Sequence, residues 1–132
     1  MIHLDTNVLV DLATTGSLAG RSAISRLEAG ETLGTSAIAW SEFCNGPLSS
    51  SQKDAVFSVL GQQVSDFTWR EAENAARLFN LGGRRRGSHS NCMIAAAAMA
   101  AGATLATFNV ADFSRFVPMG LSLEPMEPSP GK

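Results

Sequence analysis

The sequence predicts an α/β fold: a central, mostly parallel sheet flanked by helices. Short apolar runs bounded by turn residues (IHLD, TLGTS, ATLATF) alternate with segments of helical periodicity, and strands separated by helices require crossover connections. At 132 residues, with no internal repeat and no long linker, the chain fits one domain. That domain is expected over residues 1–124, with a Pro-rich, frayed C-terminal tail over residues 125–132.

Residues 2–5 read as a short buried strand ending at Asp5, and Thr6 as the cap of a helix running through Val8, Leu9 and Leu12 toward Gly16. A second helix is expected from Gly20 to Ala29, with Ile24 and Leu27 inward and Gly30 as its stop. Thr32 to Ser36 follows as a strand, then the helical segment AIAWSEFCNG, closed by Gly46-Pro47, and another helix from Gln52 to Leu60. Val64 to Phe67 is a weak third strand. Thr68-Trp69-Arg70-Glu71 then carries a capping-box pattern, opening a helix through Ala75, Ala76 and Leu78 to Gly82. An alanine-rich helix should run from Asn91 to Gly102, followed by a buried strand from Ala103 to Phe108. NVADFSRF reads as a turn and short helix, and Leu121 to Leu123 as an edge strand.

Composition narrows the function classes. Hydrophobic residues make up 45% and charged residues 17%, and no apolar run reaches the roughly 18 residues of a membrane span. The start MIHLDTNVLV has no basic region ahead of its apolar residues, so a secretory signal is not expected and the cytoplasm is the expected location. Cys44 and Cys92 lack metal-type spacing and read as small buried thiols. A net charge of −2 does not suit a protein that grips nucleic acid by charge alone. Arg84, Arg85 and Arg86 are the local exception, either a solvated loop or a contact for phosphate or an acidic partner. Trp40, Phe43 and Trp69 are expected in the core rather than at an interface.

Four polar positions collect where such sheets bind ligands, outside the carboxyl ends of the strands. Asp5 ends the first strand, Glu42 lies on the shoulder of the stripe Ala39, Trp40, Phe43 and Cys44, Asn91 opens a helix, and Asp112 follows the ATLATF strand. Each alone has an ordinary reading: a turn residue, a solvated helix residue, an N-cap, a helix starter. Converging carboxylates, however, repel one another unless protonated or sharing a cation, and hard oxygen donors suit Mg²⁺ or Mn²⁺. His3 and His89 share no ligand spacing, which sets zinc aside. The chain has no phosphate loop, serine elbow or paired Cys/His arrangement.

The blocks LDTNVLVDL, SAIAWSEFCNG and NCMIAAAAMAAGATLATFNVADF, in this order, resemble the pattern of PIN-domain ribonucleases, in particular the VapC-type toxins of bacterial toxin–antitoxin pairs. The resemblance extends from Ile2 to about Phe116. It implies an acidic cluster that binds Mg²⁺ or Mn²⁺ and cleaves RNA, leaving a 3′-hydroxyl and a 5′-phosphate. It places Asp5 and Glu42 as the first two acids, Asn91 where the family has its third, and Asp112 as the fourth, with Thr107 and Asn109 close enough to orient ligands. Whether Asn109 or Asp112 stands nearer the metal is left open by variation within this block. It further implies an RNA substrate, a VapB-type antitoxin whose apolar segment covers the cleft, and a homodimer within a larger assembly.

Asn91 is the departure. Its amide oxygen can ligate a cation but brings no charge and cannot act as a base, so activity is expected to be weakened or lost. A deliberate Asp-to-Asn change that disarms a toxic nuclease is the favoured explanation; a natural departure leaves a catalytically silent domain that binds an antitoxin or RNA. An aspartyl-phosphate phosphatase is the rival from another class, since Asp5 ends a first strand as such nucleophiles do. Asn7 stands where that chemistry wants its second acid.

Overall fold

The computed structural model describes residues 1–14 and 17–127. Its elements run β1 (Ile2–Leu4), α1 (Thr6–Leu12), α2 (Leu18–Glu28), β2 (Leu33–Ser36), α3 (Ala37–Cys44), α4 (Ser50–Val59), β3 (Val64–Ser65), α5 (Trp69–Leu81), α6 (His89–Ala100), β4 (Thr104–Thr107), α7 (Val110–Phe113), a 3-10 segment (Ser114–Met119) and β5 (Ser122–Pro125). The predicted α/β class is what forms: a five-stranded sheet in the order β3-β2-β1-β4-β5, with every neighbouring pair parallel.

Strand order explains where a site can form. The chain builds outward from β1 through β2 to β3, then returns across the sheet to place β4 on the other side of β1. That reversal opens a crevice beyond the carboxyl ends of β1 and β4, the position at which doubly wound sheets bind ligands. His3 pairs with Leu105 and Leu4 with Ala106, and the Asp5 amide extends the ladder by donating to the Ala106 carbonyl at 3.0 Å. Asp5 and Thr107 are thereby brought to the same edge.

Helix α6 forms the centre of the core. Cys92, Ile94 and Ala95 to Ala98 are all buried, and the alanines let neighbouring elements approach closely around the helix. Phe43, Phe113, Phe116, Leu78 and Leu105 complete the apolar cluster. The Thr68–Glu71 capping box forms as expected, and Ser49 with Gln52 forms a second at the start of α4.

Several local expectations are corrected. Asp5, not Thr6, caps α1, and that helix stops at Leu12; Gly16 lies outside the described residues. Ile24 and Leu27 face outward, at 56% and 41% exposure, because α2 turns Ala23 inward. Trp69 is 64% exposed, whereas Trp40 packs on Phe43 and Phe57 as a core aromatic would. Helix α6 begins at His89, two residues earlier than expected, so Asn91 is its third residue and not its cap. The start of the tail is held: Glu124 pairs with Arg26, and the Met126 amide donates to the Thr107 carbonyl. Residues 128–132 of the tail expected to fray lie outside the described residues.

Candidate metal centre

Asp5 anchors the crevice. Its extended backbone (φ −69°, ψ 162°) ends β1 and caps α1, and its side chain is fixed at both oxygens. Oδ1 accepts the Thr6 amide at 2.8 Å, and Oδ2 accepts the Thr107 hydroxyl at 2.7 Å across the switch point. Thr107 Oγ1 in turn accepts the Asn109 amide at 2.9 Å, which ties the turn after β4 to the same carboxylate. Only 4% of Asp5 is exposed.

A second carboxylate is held from two sides. Glu42 projects from α3, where its Oε1 accepts the Thr6 hydroxyl at 2.8 Å and its Oε2 the Ser90 hydroxyl at 3.0 Å. Thr6 therefore links the two acids, giving its amide to Asp5 and its hydroxyl to Glu42. Ser90 lies in the first turn of α6, immediately before Asn91, so this bond fixes that turn against α3. Asn91 is half-buried, and its side chain makes no hydrogen bond among the described residues. Asp112 stands exposed in the first turn of α7.

The electrostatics agree with the placement. Burial pushes the Asp5 pKa above its ordinary value; Glu42 and Asp112 push it further, against the lowering effect of the Thr107 and Thr6 hydrogen bonds. A buried carboxylate facing two exposed ones is an environment in which a shared cation relieves repulsion. The donor set is hard oxygen throughout, as Mg²⁺ and Mn²⁺ prefer. The Asn7 side-chain oxygen, in the first turn of α1, is buried without a hydrogen-bond partner. An unmatched acceptor there suits a cation-binding region better than it suits a closed core. The residues present thus fit a divalent ion. As the side chains stand, no three His, Cys, Asp or Glu groups among the described residues converge to hold one.

Hydrogen bonds thus link Asp5, Glu42, Thr107 and Asn109 through Thr6 and Thr107, Asp112 lies within electrostatic reach of Asp5, and Asn91 follows Ser90 along α6. Arg84, Arg85 and Arg86 lie exposed on the loop that leads into α6. Sequence reasoning missed Thr6 and Ser90 as partners of Glu42; each is a hydroxyl residue directly beside a site position, a signal that ordinary capping had seemed to explain.

An α/β chain with acids gathered at the switch point of a parallel sheet defines the class. The PIN domain profile matches residues 2–117, and the chain belongs to that family. The resemblance drawn from the three sequence blocks is borne out by solved structures. The VapBC2 structure from Rickettsia felis, bound to a DNA fragment from its promoter, aligns at 26% identity and a TM-score of 0.70, covering 96% of this chain and 100% of that one. DNA-bound VapBC from Salmonella typhimurium aligns at 22% identity and a TM-score of 0.67, covering 94% and 96%. VapC20 of Mycobacterium tuberculosis, a toxin that cleaves the sarcin-ricin loop, shares the fold at 17% identity and a TM-score of 0.54, covering 82% and 88%. No curated protein matches the sequence significantly. Among the described residues, no helix is long and apolar enough to cross a membrane.

Proposed function

We propose that this chain is the VapC-type toxin of a type II toxin–antitoxin pair, built as a metal-dependent endoribonuclease of the cytoplasm and weakened by Asn91. The observation that carries the reading is the bridged pair of acids: Asp5 and Glu42 share Thr6, under repulsion from Asp112, at the switch point of a PIN fold. Asp5 and Glu42 would hold Mg²⁺ or Mn²⁺, with the amide oxygen of Asn91 and the carboxylate of Asp112 beside them. Once bound, such an ion neutralises phosphate charge and makes a water molecule more acidic. The chain's own contribution is preorganisation. Thr107 fixes the orientation of Asp5, Thr6 and Ser90 fix Glu42, and burial keeps bulk water from screening the Asp5 charge, while Glu42 stays open to solvent. An amide at residue 91 leaves that arrangement one charge short and without a base at that place.

The partner follows from the surface as well as from the relatives. An apolar groove of about 260 Å³ between α1, α2 and α4 is lined by Leu12, Gly20, Ile24 and Val59. Exposed Ile24 at its edge has the character of an interface residue. We assign this groove to the apolar segment of a VapB-type antitoxin, within an assembly of toxin dimers. Asn91 also favours a second reading, a silent domain that acts only through antitoxin or RNA binding.

Asn91→Asp separates the two readings. The variant and the parent chain are compared for cleavage of single-stranded RNA with Mg²⁺, with Mn²⁺ and with EDTA. A gain of about 10²-fold that EDTA abolishes is expected, the scale of one preorganised charged group. No metal-dependent gain would sink the nuclease reading and leave the binding role.

A further inference from the structure

The arginine loop between α5 and α6 is not uniform. Arg84 is backbone-strained and engaged: its φ is +52°, its guanidinium lies 5.3 Å from the Phe79 ring centre, and it bonds the Asn80 side chain. The opposite edge of this brace reaches α6, since Phe79 meets the His89 ring edge-on at 6.1 Å. Arg115 lies beside Gly82 at the start of the loop, its guanidinium 4.5 Å from the Phe116 ring centre, with its three guanidinium nitrogens buried. It is inaccessible to any macromolecule. Arg85 and Arg86, by contrast, are exposed and have no side-chain partner among the described residues.

Charge makes this corner stand out. No carboxylate among the described residues lies within 4 Å of Arg84, Arg85, Arg86 or Arg115, although the chain as a whole carries −2. Three exposed cations without a carboxylate partner, on one corner of an acidic protein, create a local field that an anion would neutralise. The corner also borders the acidic crevice. Ser88 closes the loop by donating its amide (3.2 Å) and hydroxyl (2.7 Å) to the Arg85 carbonyl, and two residues later Ser90 bonds Glu42. From Arg86 to Ser90 the backbone spans at most about 14 Å. A polyanion whose phosphodiester enters the crevice therefore has Arg85 and Arg86 within a few nucleotides' reach.

We propose that Arg85 and Arg86 are the phosphate-contacting pair that guides single-stranded RNA into the crevice, and that Arg84 is the brace that aims them. The assignment rests on the RNA-cleaving reading above. RNA is favoured over an acidic protein segment because the basic corner lies within a few residues of the crevice read above as the phosphodiester-cleaving site.

The test measures binding of fluorescein-labelled oligouridine to the full chain in Mg²⁺, across about 50 to 200 mM salt, and compares Arg85→Gln/Arg86→Gln with Arg84→Gln. Two lost phosphate contacts on a single strand should reduce the slope of log K against log salt by about 1.4. Arg84→Gln, which loosens the brace without removing a phosphate contact, should keep most of the slope, weaken RNA binding at every salt concentration and lower the melting temperature; RNA binding equal to the parent chain would overturn the brace role. A parent chain that shows no salt-dependent RNA binding would overturn the RNA reading of the crevice together with this assignment. Salt-dependent binding whose full slope survives in the double variant would overturn the loop assignment alone. Polyglutamate serves as the competing probe: if the double variant loses polyglutamate binding and keeps RNA binding, the pair belongs to an acidic protein and the proposal fails.

Discussion

Two charged side chains with buried polar atoms, Asp5 and Arg115, are treated in opposite ways. Asp5 is buried with both oxygens matched, one by an amide and one by a hydroxyl that is itself positioned by Asn109. Arg115 is buried with none of its nitrogens matched, and relies on the Phe116 ring. A matched buried charge defines a direction in space, and that is what a metal or substrate can use. An unmatched one contributes field and strain, and its loss should be tolerated. The difference separates a site from a scaffold more reliably than burial does, since both groups are buried.

The largest expected effect on the acid side comes from His3, two residues before Asp5. Burial first, and the positive amino terminus second, lower its pKa to about 4, and Ser65 Oγ lies 3.2 Å from its Nε2. The folded value lies below the unfolded value of about 6.5, so the unfolded chain takes up the proton first. Stability should therefore be complete above about pH 6.5 and fall toward about pH 4, by on the order of 3 kcal/mol. Chemical denaturation against pH measures this, and the slope should flatten in His3→Gln.

Thr107→Val should cost about 2 kcal/mol, because it removes a hydrogen bond to a buried carboxylate and strands the Asn109 amide. Loss of less than about 0.5 kcal/mol would mean that Asp5 is not held in the manner described. On the basic side, Arg115→Met should be neutral or stabilising by roughly 1 to 2 kcal/mol, since an apolar side chain of similar length replaces an unmatched charge. Destabilisation in a urea melt would show that the ring contact outweighs desolvation, and would erase the contrast with Asp5. The smallest effect concerns the glycine above it. A Cβ on Gly82 would lie 2.8 Å from the Leu78 carbonyl, 3.2 Å from Phe116 and 3.3 Å from Arg115 Nε. Gly82→Ala should therefore cost about 1 kcal/mol, and part of that cost should vanish in the Arg115→Met background.

The parts of the fold legible in the sequence were those encoded within a few residues. The β1, β2 and β4 strands, the Thr68–Glu71 capping box and the closing glycines are local signals, and the parallel sheet follows from their alternation. Ile24, Leu27 and Trp69 were misplaced because hydrophobicity alone does not fix which face of a helix meets the core. The start of α6 was misplaced because Ser88 precedes it without a side-chain capping bond, and so leaves no capping signature. At the candidate site, Asp5 was visible at a strand end, Glu42 on the shoulder of a helical apolar stripe and Asp112 a few residues after β4. The Thr6–Glu42 and Ser90–Glu42 bonds span 36 and 48 residues, and such contacts exist only once the sheet has ordered its strands.

The central claim is that Asp5, Glu42, residue 91 and Asp112 form one divalent-ion site short of a single charge. Calorimetric titration with Mn²⁺ tests it directly on the parent chain, on Asn91→Asp and on Asn91→Asp combined with Asp5→Asn. Restoring the carboxylate should tighten binding by about 10-fold or more, and removing the Asp5 charge should abolish the gain. Equal affinity in the parent and Asn91→Asp, or a gain that survives without the Asp5 carboxylate, would contradict it.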